Sequence, residues 1–178
     1  MGRETMTASK LTKSKFRLAY ECPTKLYYVD KPQYANQLME DSFLKALAEG
    51  GYQVEALARC YFPDGIFVTT QNKAGLAATK RLLENESITL FEAEIQYQGY
   101  LIRTDILIKH KNHLKLIEIK AKSISNDEIK EIEKRAEWKP YLADVAFQKW
   151  VLQQAYPNYQ ISSYLMLVDK IVFALQMD

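Results

Sequence analysis

The chain has 178 residues, with 24 Lys and Arg against 22 Asp and Glu, so its formal net charge is only +2. Hydrophobic residues make up 48% and charged residues 26%, a balance that is typical of globular domains and excludes a disordered or low-complexity chain. No stretch approaches the roughly 20 uninterrupted apolar residues of a membrane span, and the N-terminus MGRETMTASK lacks the apolar core of a secretory signal. We therefore expect a cytoplasmic protein with no membrane association, a disordered tail over residues 1–10 and a single domain over residues 11–178.

Cysteine usage and the distribution of charge narrow the function classes. Cys22 and Cys60 are too few for a disulfide framework, a four-thiolate metal site or an iron-sulfur cluster. Basic residues are concentrated in the segments 1–31 and 103–122. Two such patches on a nearly neutral chain indicate either a surface that binds a polyanion or two solvated faces, and charge alone leaves both interpretations open.

The first part of the chain has a helical pattern. Apolar residues recur at helical spacing over residues 11–27, where Pro23 starts a second short helix, and this predicts a broken helical arm. Asn36 is expected to cap a longer helix, in which Gly50 and Gly51 mark a bend or a junction.

Short strands are then expected at residues 60–62 and 65–68, around a Pro-Asp-Gly turn, followed by a helix over residues 72–84. Three alternating, β-branched-rich runs come next and predict an antiparallel meander. They occupy residues 87–97, 100–109 and 114–122.

The C-terminal part returns to helices. Asn126 or Asp127 is expected to cap the charged helix DEIKEIEKRAEW, which Pro140 breaks before a second helix over residues 141–156. The run 160–168 is apolar on both faces, so we expect a strand inside the sheet. The element order predicts an α/β fold with helices packed on the faces of a mixed sheet.

The meander brings acidic residues together. Side chains alternate along a strand, so Glu118 and Lys120 share one face, and Arg103 shares a face with Asp105. If the connecting loop has an even number of residues, as with Lys111-Asn112 or the longer His110 to His113, paired positions sum to 223. Asp105 then faces Glu118.

The same argument extends to the preceding hairpin. With Gln98-Gly99 as a two-residue turn, Glu92 faces Asp105, whereas Glu94, on the same face as Glu92, is the competing upstream acid. Ionised carboxylates about 5 Å apart repel by about 3 kcal/mol at an effective dielectric constant of 20. Mg²⁺ or Mn²⁺ would relieve this repulsion, with Lys120 stabilising developing charge at phosphorus or holding the attacking water. A solvated Glu118–Lys120 surface pair is the alternative.

These residues resemble the PD-(D/E)XK nuclease superfamily, in which an Asp is followed by a Glu-x-Lys motif on the next strand. The chain is most similar to the branch of RecB-type and Cas4-type nuclease domains and to a related uncharacterised bacterial domain of longer nuclease or helicase-associated proteins. Three further segments carry the resemblance: LTKSKFRLAYECPTKLYY, GYQVEALARCYFPDG and YLADVAFQKWVL. The resemblance implies a restriction-endonuclease-like core and a divalent-metal-dependent nuclease that hydrolyses DNA phosphodiester bonds.

The resemblance also implies roles for individual residues. Lys120 is the catalytic lysine, Gln148 is the helix glutamine that positions the nucleic acid or supports the site, and Asp144 and Tyr141 lie on its face. The implied metal ligands are Asp105, Glu118, the Ile119 carbonyl, Glu92 and Glu55. DNA contacts are expected from basic residues and the glutamine, namely Lys13, Lys15, Arg17, Lys25, Arg103, Lys122 and Gln148.

Departures from the family pattern qualify these roles. Glu55 stands where many RecB-like members carry a His, and Leu152 replaces the tyrosine that usually follows the helix glutamine. Only Cys22 of the Cas4-type cysteines is present, so the iron-sulfur version is excluded. The alternative function is a non-catalytic nuclease-fold module that binds DNA or a protein partner, and the domain is of a length that often belongs to a larger polypeptide with further domains or a helicase-type partner.

Two other sets of residues have a purely structural interpretation as well as a functional one. His110 and His113 form an HxxH pair, for which a solvated loop is favoured over a metal site. Four aromatic residues could stack nucleic-acid bases, although aromatics at helical spacing more often belong to a core. These are Tyr27, Tyr28, Trp138 and Trp150.

Overall fold

A computed structural model describes residues 10–29, 31, 33–34 and 42–170, with only the backbone for residues 42–45 and 47. Within these residues, six strands form one mixed open sheet in the order β2-β3-β4-β5-β6, and β1 pairs with β4. The strands are β1 Leu11–Thr12, β2 Ile66–Phe67, β3 Ser87–Tyr97, β4 Tyr100–His110, β5 His113–Ile124 and β6 Gln160–Asp169. The α/β class and the mixed sheet expected from the sequence are confirmed.

Helices cover both faces of the sheet. The helices are α1 Lys13–Glu21, α2 Pro23–Tyr28, α3 Ser42–Cys60, α4 Asn72–Leu82, α5 Asn126–Ile129 and α6 Lys139–Ala155, with a 3₁₀ turn at Ala136–Trp138. On one face, Phe147 and Val151 of α6 pack with buried strand residues such as Leu90 and Ile102. On the opposite face, Ala58 of α3 packs on a second apolar cluster. No helix in the described part of the chain combines the length and apolarity that a membrane span needs.

The predicted meander and its register are confirmed. Paired positions of β3 and β4 sum to 197, as in Phe91 opposite Ile106, so Gln98-Gly99 is the two-residue turn. Paired positions of β4 and β5 sum to 223, as in Ile106 opposite Ile117. The ladder between β4 and β5 stops at this last pair, which was not expected.

Beyond Ile106 and Ile117 the two strands separate. β5 continues alongside β6, in a parallel pairing. The edge of β4 that β5 leaves is taken by β1, because Leu11 and Thr12 pair in parallel with the first residues of β4 while β3 holds its other edge. The fork between β4 and β5 therefore receives the beginning of α1.

Several expected elements differ in the structure. Residues 60–62 are not a strand, because Cys60 ends α3 and the amide of Phe62 donates to the carbonyl of Arg59 at 2.8 Å in a turn. α3 also runs through Gly50 and Gly51 without a break. The expected cap Asn36 lies outside the described residues.

The C-terminal expectations need two corrections. The charged helix is only α5, capped by Ser125 in a capping box with Glu128, because the segment that follows has little apolar surface to bury and forms turns. Among the described strands, β6 lies at the edge of the sheet and not inside it. The prediction failed because apolar residues on both faces of a strand indicate that helices cover it, and they do not indicate how many strands flank it.

Candidate functional site

The fork between β4 and β5 holds the two acidic residues of the predicted motif. Asp105 is the first residue of β4 beyond the ladder, and Glu118 is its counterpart on β5. Asp105 Oδ2 accepts a hydrogen bond of 2.7 Å from the amide of Ile119. At this point β4 and β5 are therefore joined by a side chain and not by the backbone ladder. This contact fixes the Asp105 carboxylate beside Glu118.

A lysine from the N-terminal arm lies between these carboxylates. The Lys13 Nζ donates to Asp105 Oδ1 at 3.2 Å and to Glu118 Oε2 at 2.7 Å. Thr12 fixes the start of α1, since its Oγ1 accepts from the amide of Lys15 at 3.3 Å. The ring of Phe16 stacks on that of Phe147 at 4.2 Å between centroids, which holds α1 against α6.

The other side of Glu118 is held by groups from β5 and α6. Lys120 donates to Glu118 Oε1, and its Nζ lies 3.3 Å from Asp144 Oδ2. Gln148 donates from Nε2 to Glu118 Oε2 at 2.8 Å and to Asp144 Oδ1 at 3.2 Å. Glu118, Asp144 and Gln148 are all fully buried. Four of the five predicted catalytic residues, Asp105, Glu118, Lys120 and Gln148, are therefore brought together, and Glu92 is not part of these contacts.

Burial and ion pairing act in opposite directions on the three carboxyl groups. Burial raises the pKa of Asp105, despite the nearby Lys13 ammonium. Burial alone would also raise the pKa of Glu118, but its ion pairs with Lys13 and Lys120 outweigh burial and lower it. Burial, and next the charge of Glu118, raise the pKa of Asp144. Glu118 is thus the group that most firmly retains its negative charge.

The predicted upstream acid, Glu92, contacts arginines and not lysines. Glu92 has φ of 58° and leaves the β3–β4 ladder at the position opposite Asp105. Its carboxylate lies 2.8 Å from Arg103 Nε and 3.6 Å from an Arg59 nitrogen, and Arg59 also donates to Glu55 at 3.0 Å. The structure therefore places Glu92 and Glu55 with arginines.

The competing upstream acid, Glu94, lies on β3 like Glu92, but its side chain is buried. Its Oε2 has no hydrogen-bond partner among the described residues, and its amide donates to the Thr79 hydroxyl at 3.0 Å. Gly75 makes this packing possible, because a Cβ there would lie 2.6 Å from Glu94 Oε2. The carboxylate is held by close packing against α4.

A cleft of about 430 Å³ opens beside the fork. Asp105 lines this cleft with a side chain that is 13% exposed, whereas the Glu118 side chain is fully buried behind it and does not line the cleft. The residues that line the cleft include Lys13, Glu55, Glu92, Glu94, Arg103 and Asp105. Access to the site therefore runs past Lys13 and Asp105.

Apart from Lys13 and Arg103, the predicted nucleic-acid contacts do not line this cleft. Arg17 is exposed on α1, Lys15 is half-buried, and Lys25 pairs with Glu21 at 3.0 Å on the surface of the arm. Lys122 lies over the ring of Trp138, with its Nζ 4.1 Å from the centroid.

The histidine and aromatic residues have separate outcomes. His110 and His113, expected in a solvated loop, instead end β4 and begin β5 and pair across the hairpin, and His113 Nε2 lies 2.9 Å from the Ser162 hydroxyl. Trp138 is buried, whereas Tyr27, Tyr28 and Trp150 are exposed.

Sequence reasoning missed the position of Lys13 and the contact of Asp144 with Lys120. Asp144 had one signal, since it lies one helical turn from Gln148. Lys13 had none, because 92 residues separate it from Asp105 and the short β1–β4 pairing that brings it there leaves no periodic pattern.

The donor set of the fork fits a hard divalent cation. Asp105 and Glu118 direct one oxygen each at a single cationic atom, the Lys13 Nζ, and Mg²⁺ sites commonly use one or two carboxylates with water. No group of three or more His, Cys, Asp or Glu residues suited to a metal occurs within the described part of the chain. Comparisons with family models, curated proteins and solved structures found no match to the chain.

Proposed function

We propose that the chain is a divalent-metal-dependent nuclease with a restriction-endonuclease-like core, and that it hydrolyses DNA phosphodiester bonds. One observation carries the proposal: in the fork between β4 and β5, Asp105 and Glu118 each direct one oxygen at the same cationic atom, the Lys13 Nζ, and Lys120 is bound to Glu118. Buried charges are costly unless they are paired, and clusters of buried ionisable groups beside a cleft are typical of functional sites.

Asp105 and Glu118 would hold the cation, for which the Ile119 carbonyl is the further ligand that the family resemblance implies. Bound Mg²⁺ or Mn²⁺ supplies Lewis-acid polarisation of a phosphodiester oxygen and lowers the pKa of a bound water. Glu92 and Glu55 remain ligand expectations from the resemblance. Their ion pairs with Arg59 and Arg103 favour a different role, in which they hold guanidinium groups beside the cleft.

The residues of the chain divide the remaining work. Gln148 fixes the orientation of Glu118, and the amide of Ile119 fixes that of Asp105. Lys120 is held by Glu118 and Asp144, and its ammonium group would stabilise the negative charge that develops at phosphorus. Arg103 lines the cleft, and the exposed basic residues of α1 and α2 would contact the phosphate backbone.

A cleavage assay tests the proposal. Metal-stripped protein is incubated with single- and double-stranded DNA in Mn²⁺, Mg²⁺ or EDTA, and wild type is compared with Asp105→Asn and Lys120→Ala. We expect cleavage only with a divalent cation, and a loss of at least about 100-fold in either variant.

The matched control is Lys149→Ala, which removes one exposed positive charge from α6. This variant should cleave like wild type. Cleavage that persists in both Asp105→Asn and Lys120→Ala would contradict the proposal.

The second candidate function is a nuclease-fold module that binds DNA or a protein partner without cutting. The ion pairs of Lys13 favour it, because this ammonium already neutralises the two candidate ligands. Binding of DNA in EDTA, with no cleavage in either metal, would support the second candidate over the first.

A further inference from the structure

We infer that Lys13 is an exchangeable cation of the site: its ammonium compensates Asp105 and Glu118 when no metal is bound, and a divalent cation must displace it toward the cleft. This inference rests on the proposed function, because it concerns the same two carboxylates. It gives Lys13 a role that the sequence pattern, which assigned it to the DNA backbone, does not contain.

The geometry makes Lys13 a direct competitor for the cation position. Its Nζ contacts one oxygen of each carboxylate, at 3.2 Å from Asp105 Oδ1 and 2.7 Å from Glu118 Oε2. Asp105 Oδ2 accepts from the amide of Ile119 and Glu118 Oε1 accepts from Lys120, whereas Glu118 Oε2 accepts from Gln148 as well as from Lys13 and keeps a lone pair for each. A cation bound by both carboxylates would therefore use the oxygens that Lys13 now contacts.

Displacement of the ammonium does not require the arm to unfold. The backbone at Lys13 is fixed on either side, by the pairing of Thr12 with Leu101 and by the stacking of Phe16 on Phe147. The lysine side chain is flexible and carries a single-point charge, unlike the planar guanidinium of arginine. Lys13 also lines the cleft with Arg103, so an ammonium that leaves the carboxylates remains beside the entrance to the site.

The exchange has a measurable cost for metal affinity. An internal cation that occupies a site nine-tenths of the time weakens the apparent affinity of a competing ligand about tenfold. Removal of the lysine should therefore tighten metal binding, whereas a purely structural lysine would loosen it by disturbing the fork. The sign of the change separates the two roles.

The experiment is calorimetric titration of Mn²⁺ into metal-stripped full-length protein, without DNA. Lys13→Gln should bind Mn²⁺ about tenfold more tightly than wild type, and its metal-free form should melt at a lower temperature because two carboxylates lose their counter-ion. Lys13→Arg should bind Mn²⁺ more weakly than wild type, because a guanidinium can pair with a carboxylate through two hydrogen bonds. Lys149→Ala is the charge-matched control and should leave the affinity unchanged.

Equal or weaker Mn²⁺ binding by Lys13→Gln would overturn the inference while leaving the proposed function intact, provided that Asp105→Asn still abolishes binding. Should Lys13→Gln fail to fold, Lys13→Arg decides alone, and unchanged or tighter binding in that variant overturns the inference. Absence of Mn²⁺ binding in both wild type and Lys13→Gln would remove the proposed metal site and the inference together.

Discussion

Two sets of carboxylates lie near the cleft and differ in their counter-ions. The lysine-bridged carboxylates, Asp105, Glu118 and Asp144, contact Lys13 and Lys120. The arginine-bridged carboxylates, Glu55 and Glu92, contact Arg59 and Arg103. The first set is 0–13% exposed at its side chains and the second 24–29%.

This difference indicates which acids can exchange their counter-ion. Lysine meets a carboxylate as a point charge on a flexible stem, whereas the guanidinium of arginine is planar and always charged, and here one Arg59 nitrogen contacts both Glu55 and Glu92. Burial also strengthens electrostatic interactions in the lysine-bridged set, for a lysine and for a competing cation alike. The comparison therefore supports the proposed cation binding by Asp105 and Glu118 and leaves Glu92 with the arginines.

The largest effect is expected from removing Glu118, a fully buried acid that accepts from three side chains. Glu118→Ala leaves Lys13, Lys120 and Gln148 without their shared acceptor, and we expect the free energy of unfolding to fall by about 3–5 kcal/mol. Urea denaturation of the metal-stripped protein measures this fall. Glu118→Gln, which keeps the shape of the side chain, is the matched variant and should lose less. A fall below about 1 kcal/mol for Glu118→Ala would place this carboxylate among weak surface pairs.

A buried lysine that donates to backbone carbonyls provides a further test of the comparison. Lys109 is buried at the far end of β4, where its Nζ donates to the carbonyls of Leu83 at 2.7 Å and Asn85 at 2.8 Å. Lys109→Met should lower the free energy of unfolding by about 1–3 kcal/mol, because buried carbonyls lose a charged donor. It should leave Mn²⁺ affinity unchanged, unlike Lys13→Gln.

Lys115→Met is the matched control, since Lys115 is exposed on β5. Its stability should stay within about 0.5 kcal/mol of wild type in the same urea titration. Tighter Mn²⁺ binding in Lys109→Met would show that any lost lysine has this effect and would end the distinction between the two ends of β4.

Glu92→Gln tests the arginine-bridged set directly. Because the Glu92 side chain is 24% exposed, the loss of stability should not exceed about 1 kcal/mol. Calorimetry should show nearly unchanged Mn²⁺ affinity, in contrast to Asp105→Asn. If Glu92→Gln loses Mn²⁺ binding as Asp105→Asn does, Glu92 is a ligand, as the family resemblance implies, and the boundary between the two sets is wrong.

The sequence was sufficient for the parts of the site that depend on strand register. Alternation and two-residue turns predicted both hairpins, because the positions of Gln98-Gly99 and Lys111-Asn112 fix every pair that follows. The same reasoning placed Asp105 opposite Glu118. It could not show that the ladder stops one pair earlier, since the edge of β4 that β5 leaves is taken by β1, a two-residue strand from the distant N-terminus.

Local backbone conformation was the second limit on what the sequence could predict. Glu92 was expected to face Asp105 across a regular ladder, but its positive φ takes it out of the pairing. Nothing in the composition of β3 marks that position. The counter-ions, Arg59 on α3 and Lys13 on α1, come from elements far apart in sequence, so which cation meets which acid was not readable before the fold was known.

The smallest effect concerns a carboxylate outside both sets, and it tests whether burial is what distinguishes them. Glu128 accepts from Lys170 at 2.7 Å, from the amide of Ser125 at 2.9 Å and from Arg135 at 3.0 Å. These hydrogen bonds, that of Lys170 first, lower the pKa of Glu128 from 4.5 to about 2. A lowered folded-state pKa means that the stabilising contribution is complete above pH 4.5 and is lost as the pH falls toward 2.

Glu128→Gln should therefore lower the melting temperature slightly near neutrality, because the contacts lie at the surface and are screened, and the variant should converge on wild type as the pH falls from about 4.5 to 2. Thermal melts across that range measure the difference between variant and wild type. Glu131→Gln, an exposed neighbour, is the control and should keep the wild-type slope. A loss in Glu128→Gln as large as that in Glu118→Ala would show that ion pairing alone, without burial, sets the strength of these contacts, and the distinction between the two carboxylate sets would then depend on the type of cation only.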